Sequence, residues 1–319
     1  VILGLGTSFM TSLWASDWED MFDDFSGAMA PASTVIEDGD AGNKIAVVNF
    51  DGVIQDTGTT GGMFAAEGYD HQMTVQALKD IAADDTYSAV LLNVNSPGGG
   101  VFESAELHKY LMEIKDSGKT IYSSMGNMAA SGGYYISAPA DQIFATDETM
   151  TGSIGVIMQS MNYSELAENV GISFDVYKSG EMKDMMSASR EATDEEKDYI
   201  QNIVDTMFQD FVDVVAEGRD MTEEEVRELA DGRIYLGGQA IENGLVDQNG
   251  YFEDALAALK EDVGGTPQVV EFGGAASTSF PFGAKIESLA ENITGGGEAK
   301  MVQELINNRQ GAKPMYLYE

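Results

Sequence analysis

Val90-Leu91-Leu92-Asn93-Val94 is apolar at successive rather than alternate positions, and it runs directly into Ser96-Pro97-Gly98-Gly99-Gly100. A strand that is apolar on both sides must be covered on both sides, as in parallel sheets held between layers of helices. Ile45-Ala46-Val47-Val48-Asn49-Phe50 has the same character. Residues 72–83 carry helical periodicity, and so do residues 103–115, where Ala105, Leu107, Tyr110, Leu111 and Ile114 form one inner face. Thr120 to Ser124, Ile143 to Ala145 and Ile154 to Met158 read as further strands, and 127–137 as a short helix opening straight from the third strand. Strands and helices alternating in this way predict an α/β fold with a mainly parallel sheet flanked by helices.

The later sequence is more helical. Residues 194–218 place Ile200, Ile203, Val204, Met207, Phe208, Phe211, Val212 and Val215 at helical spacing, with Thr193 as N-cap and Gly218 as the stop. A helix from Thr222 has Glu225 three residues on, the capping-box pattern, and another runs over 251–259. Past Gly264 glycine-rich segments separate two short amphipathic stretches, and this tail is expected to lie outside the core.

At the other end, Val1 to Trp14 is an uncharged apolar run, shorter than the span of about 20 residues that crosses a bilayer. With Trp14 and Trp18 at its edge it reads as the outer end of a membrane anchor. The expected organisation is an anchor over 1–16, an acidic linker over 17–42, a folded domain over 43–263 and a C-terminal extension over 264–319.

Charge and composition narrow the chemistry. Lys and Arg number 17 against 54 Asp and Glu, a formal charge of −37, which repels nucleic acid and anionic headgroups. The acids are scattered rather than gathered at ligand spacing, so they read as a solvated, salt-tolerant surface. The absence of cysteine excludes disulfides, thiol catalysis and cysteine-bound metals. His71 and His108 are the only imidazoles, and neither has a distinctive setting.

Ser131 lies in Met128-Ala129-Ala130-Ser131-Gly132-Gly133-Tyr134-Tyr135, between a strand and a helix. Backbone amides at such a junction favour a developing negative charge, so Ser131 suits a nucleophile; it equally suits an N-cap. The glycine turn 98–100 ends a buried strand and can aim its amides at one anion. It lacks the Lys and Ser/Thr of a phosphate-binding loop. A serine nucleophile needs a base, and Val176-Tyr177-Lys178-Ser179-Gly180-Glu181-Met182-Lys183-Asp184 offers two lysines. A lysine serves as base near neutral pH only if its pKa falls from about 10.4 by several units. Glu181 and Asp184 flank Lys183, so that role requires both carboxylates to point away from it.

Taken in order, Ser96 to Gly100, Met128 to Ser137, Thr151-Gly152-Ser153-Ile154-Gly155-Val156 and Lys178 to Asp184 resemble the short form of the signal peptide peptidase A family over roughly residues 44–263. The resemblance implies a Clp-protease/crotonase-like fold of repeated ββα units and a Ser-Lys dyad that cleaves peptide bonds without cofactor or metal. It assigns Ser131 as nucleophile, Lys183 rather than Lys178 as base, and Ser153 as the serine that orients the lysine. Oxyanion donors would be the amides of Gly99 or Gly100 and of Gly132. It further implies an octameric ring in which serine and lysine can come from neighbouring subunits. The expected substrates are remnant signal peptides, met by a membrane-anchored domain on the extracytoplasmic side. Met315-Tyr316-Leu317-Tyr318 is an apolar end on a long tether that can enter the active site as product or autoinhibitor. The competing readings are a crotonase-like acyl-CoA enzyme and a tethered scaffold that has lost catalysis.

Overall fold

The computed structural model describes residues 33–57, 69–273 and 315–317. In chain order these form β1 (Ser33–Glu37), β2 (Asp40–Asp51), α1 (His71–Ala83), β3 (Tyr87–Ser96), β4 (Gly98–Gly100), α2 (Val101–Asp116), β5 (Thr120–Ala130), α3 (Gly132–Ser137), β6 (Gln142–Ala145) and β7 (Met150–Gly152). There follow α4 (Ser164–Asn169), a 3-10 turn (Glu181–Asp184), α5 (Asp194–Arg219), α6 (Glu223–Leu229), β8 (Ile234–Leu236), α7 (Gly237–Glu242), β9 (Gln248–Asn249), α8 (Phe252–Val263), β10 (Pro267–Phe272) and β11 (Met315–Leu317).

The main sheet has the order β1-β10-β2-β3-β5-β6-β9, with β7 on the far end of β5 and β8 on β7. Only β1 with β10 and β7 with β8 run antiparallel. The apolar runs behave as expected of doubly covered strands. Ala46, Val48, Val90, Leu92 and Val94 face a large core shared with α1, α2, α3 and α5. Ile45, Val47, Ala89 and Leu91 face the opposite way onto Ala255, Leu256 and Leu259 of α8. Full burial of each such side chain contributes about 1.5–3 kcal/mol.

Four expectations are corrected. Ile154 to Met158 is not a strand: Ile154 is fully buried, but Ser153 at φ 50° turns the chain out of extended geometry, and the strand lies earlier, in β7. Residues 127–130 continue β5 alongside β7, so the short helix begins only at Gly132. Gly218 does not stop the long helix, which ends with Asp220 in the left-handed region. Its missing side chain serves close packing instead, since a Cβ there would lie 2.3 Å from the Ala138 carbonyl oxygen. Finally, the sheet extends past both expected domain edges. β1 falls within the supposed linker, and β10, within the supposed tail, inserts between β1 and β2.

No helix among the described residues is long and apolar enough to cross a membrane. The apolar run from Val1 to Trp14 lies outside the described residues.

Candidate active site

Ser131 is the single residue between β5 and α3, and it makes the reversal with φ 53° and ψ −116°. A non-glycine residue at positive φ is strained, and such strain persists only where the surroundings over-determine it. Here its amide donates to the Gly152 carbonyl at 2.8 Å and its carbonyl accepts from Tyr135 at 2.8 Å, fixing the turn from both sides. The side chain makes no capping hydrogen bond, so the hydroxyl is not spent on the helix end.

The same contact brings Ser153 to the site. Ala130 pairs with Gly152 across β5 and β7, which sets Ser131 and Ser153 side by side just beyond the ladder. Ser153 is buried, also at positive φ, and held by its amide to the Arg233 carbonyl at 2.8 Å.

The glycine turn lies against the start of α3. A Cβ at Gly133 would approach the Ser96 carbonyl oxygen to 2.8 Å, and one at Gly132 would approach Ser104 Oγ to 2.7 Å and the Gly99 nitrogen to 3.1 Å, so both positions need glycine. The Gly100 amide donates to the Ile54 carbonyl at 2.8 Å and the Gly98 amide faces Ser96 Oγ at 3.1 Å. Of the alternatives Gly99 and Gly100, Gly100 is therefore removed, because its N–H is already used. Gly99 points the opposite way, as alternation along a strand requires. Ser104, on the first turn of α2, is fully buried, and its hydroxyl has no hydrogen-bond partner among the described residues.

Gly99 faces a peptide. β11 runs antiparallel to β4, with Met315, Tyr316 and Leu317 opposite Gly100, Gly99 and Gly98, and Met315 also bridges to Ile157 on its other side. The Tyr316 carbonyl oxygen sits over the Gly98 backbone beside Gly132: a Cβ at Gly98, where φ is 101°, would lie 2.1 Å from that oxygen and 2.6 Å from the Gly132 nitrogen. The Tyr316 side chain is fully buried between Tyr135 (ring centroids 4.9 Å apart) and Phe211 (4.7 Å), and its hydroxyl donates to the Met207 carbonyl at 3.0 Å. Burial pushes the Tyr135 phenol up to about 12. The end of the tail thus belongs to the core, against expectation, because its tyrosine finds an aromatic pocket that no local pattern announces.

Lys183 lies elsewhere, exposed on the 3-10 turn; its amide donates to the Gly180 carbonyl at 3.1 Å, while its amine makes no hydrogen bond or ion pair among the described residues. The flanking acids do turn away from it: Asp184 binds Lys178 at 2.9 Å and Arg190 at 2.6 Å, and Glu181 lies 3.7 Å from Lys178. Hydrogen bonds from Arg190 and then Lys178 hold the Asp184 carboxyl well below the usual carboxylate range. Lys178 is thereby occupied. The imidazoles are engaged as well. His71 lies between Tyr69 at 2.6 Å and Glu106 at 3.0 Å, and His108 packs edge-on against Tyr135, with burial lowering its pKa. Sequence reasoning missed Tyr135, Phe211 and Arg190; the scarcity of cations in so acidic a chain was the one signal for Arg190.

Residues 113–265 match the model of Peptidase family S49. Over 298 residues the chain is 45% identical to "Putative signal peptide peptidase SppA" of Enterococcus faecium, covering 92% of this chain and 86% of that one. It is 35% identical over 214 residues to Protease 4 of Haemophilus influenzae, covering 67% of this chain and 34% of that one. Likeness to Serine protease SPPA, chloroplastic, of Arabidopsis thaliana is 28% over 191 residues, or 60% of this chain and 28% of that one.

Proposed function

The chain belongs to peptidase family S49 and has the Clp-protease/crotonase-like fold of that family, and on that footing we propose that it is a serine endopeptidase in which Ser131 is the nucleophile and Lys183 its base. The observation that carries this reading is the seat of Met315–Leu317, an extended peptide added to the glycine strand with its Tyr316 carbonyl oxygen over Gly98, beside Gly132. A substrate bound the same way presents its scissile carbonyl to Ser131 and to the amides of Gly99 and Gly132.

Neutral Lys183 removes the hydroxyl proton as Ser131 Oγ bonds to the carbonyl carbon. The two amides stabilise the resulting oxyanion, an interaction stronger in the transition state than in the ground state. The C–N bond then breaks, Lys183 returns the proton to the leaving amine, and water hydrolyses the acyl-enzyme by the reverse sequence. Ser153, beside Ser131, orients the lysine amine through its hydroxyl.

The dyad needs Lys183 desolvated, and the segment that carries it supplies a reason to expect cover. Met161, Leu166, Val170, Ile172 and Tyr177 are all exposed, an apolar surface unusual for a free monomer. A second copy covers this face, and serine and lysine meet between neighbours in a closed ring. The substrates are apolar peptides of the remnant signal-peptide class, reached by a domain anchored at the extracytoplasmic side of the membrane. The family match displaces the acyl-CoA reading.

The test is peptide hydrolysis by the assembled protein, comparing wild type with Ser131→Ala and Lys183→Ala across a pH series, together with labelling by an acylating serine probe. Loss of acyl-enzyme in both variants, and a wild-type rate that rises through a pKa well below 10.4, is expected. Activity retained by Lys183→Ala but abolished by Lys178→Ala or His108→Ala would overturn the base assignment, and absence of labelling at Ser131 in an assembled wild type would favour the scaffold.

A further inference from the structure

We propose that Arg190 is a positioning residue for Lys183, hung from the buried carboxylate of Glu196 so that its guanidinium, with Lys178, pins Asp184 and holds the Glu181–Asp184 turn in one conformation with the Asp184 carboxylate kept from the lysine amine. This rests on Lys183 being the base.

Asp184 adjoins Lys183 in sequence, and a free carboxylate next to an amine favours the charged, non-basic form. The structure removes it by geometry. Arg190 Nε donates to Asp184 Oδ2 at 2.9 Å, and its Nη2 donates to Asp184 Oδ1 at 2.6 Å and to the Asp184 carbonyl at 3.1 Å. Lys178 Nζ donates to the same Oδ1 at 2.9 Å and to the Glu181 carbonyl at 3.0 Å. Both ends of the turn are therefore tied, side chain and backbone alike.

The anchor lies on the opposite side of the guanidinium. Nη1 donates to Glu196 Oε2 at 2.8 Å and to the Glu191 carbonyl at 2.9 Å, and Nη2 also reaches Glu196 Oε1. Glu196 is only 3% exposed, and Oε2 accepts the Thr193 amide at 2.8 Å in the capping box that opens α5. The same helix carries Phe211 and the Met207 carbonyl in the tyrosine pocket further along. One rigid element thus spaces the base-bearing turn from the pocket that seats the peptide. Met186, two residues past Asp184, sits at φ 59°, a strained conformation of the kind held only by over-determined surroundings. Only a planar, forked cation can serve two carboxylates and two carbonyls together; a lysine there offers one point of charge.

The charged groups facing Asp184 are Lys178 and Arg190, and those facing Arg190 are Asp184 and Glu196. In Arg190→Met, Asp184 is released toward Lys183, and the acid limb of the kcat/KM profile for peptide hydrolysis moves to higher pH by about 1 unit, the low end of what one adjacent opposite charge does. Because the base must be neutral to act, activity on that limb falls about tenfold at fixed pH. Adding Asp184→Asn to Arg190→Met returns the limb to its wild-type position, which repair of a merely structural defect would not do, while Arg190→Lys fails to rescue. Glu196→Gln moves the limb in the same direction by less, and decides the matter if Arg190→Met does not assemble. A wild-type profile in Arg190→Met or, failing its assembly, in Glu196→Gln overturns the proposal, as does a double variant that stays shifted. Lys183→Ala in the same series separates the two levels: if it stays active the base assignment fails, whereas an inactive Lys183→Ala beside an unshifted Arg190→Met refutes only the positioning role.

Discussion

Replacing Tyr316 by alanine should convert a self-occupied site into an open one. The side chain is fully buried against Tyr135 and Phe211, with its hydroxyl on the Met207 carbonyl. Truncating a buried aromatic to alanine costs about 3–5 kcal/mol, and at about 1.4 kcal/mol per decade the lower figure weakens docking of the tail roughly 10²-fold. The tail is an intramolecular competitor, so it multiplies the apparent KM by one plus its docking constant and leaves kcat alone. Tyr316→Ala should therefore lower the apparent KM for a short fluorogenic peptide with tyrosine before the scissile bond, by at least about tenfold if the tail is mostly docked, with kcat unchanged. A chain ending at Gln310 should behave in the same way. Tyr316→Phe, which loses only one hydrogen bond worth about 0.5–1.5 kcal/mol, should lie between them and wild type. Mass spectrometry of the wild-type C-terminus must accompany the assay, because cleavage after Tyr316 would leave a tail that ends at Tyr316 and competes as a product rather than as the intact peptide. An intact wild-type tail together with unchanged KM and kcat in Tyr316→Ala would refute the reasoning.

Gly98→Ala should reduce kcat/KM by about 10²–10³, the usual cost of losing an oxyanion donor, since its Cβ would fall 2.1 Å from the seated carbonyl oxygen and 2.6 Å from the Gly132 nitrogen at a φ of 101°; steady-state kinetics on protein of wild-type circular dichroism checks this, and a change under threefold contradicts it. Arg190 and the Thr193 amide depress the Glu196 carboxyl from 4.5 to about 2. A depressed carboxylate contributes stability that is present above its unfolded pKa and lost as pH falls through the folded one, so this contribution fades between pH 4.5 and about 2. Thermal melts across that window should show wild type losing its advantage over Glu196→Gln as pH falls, and a constant difference would contradict the sign.

What was legible in the sequence was what neighbouring residues decide. The continuous apolar runs at Ile45 and Val90 specified doubly covered strands because burial on two faces leaves no polar alternation, and both N-caps, at Thr193 and Thr222, formed as read because a cap needs only residues within one turn. The order of short motifs pointed to Ser131, Ser153 and the glycine turn, and tertiary structure set the two serines together through the Gly152 carbonyl.

Other features depended on partners far away in the chain. β10 inserts beside β2 more than 200 residues from it, as the Asn49 to Glu271 hydrogen bond across 222 positions illustrates. β11 is three residues long, too short for any periodicity, and exists because Gly98–Gly100 offers an unfilled edge and Tyr135 and Phe211 a pocket. The fate of Asp184 was undecidable from its position beside Lys183, since only the fold delivers Arg190 and Lys178 to its oxygens. Sequence determines which segments must be buried and where a helix can begin; which backbone amide remains free and which charge is neutralised depend on approach distances of a few ångströms between segments that never meet along the chain.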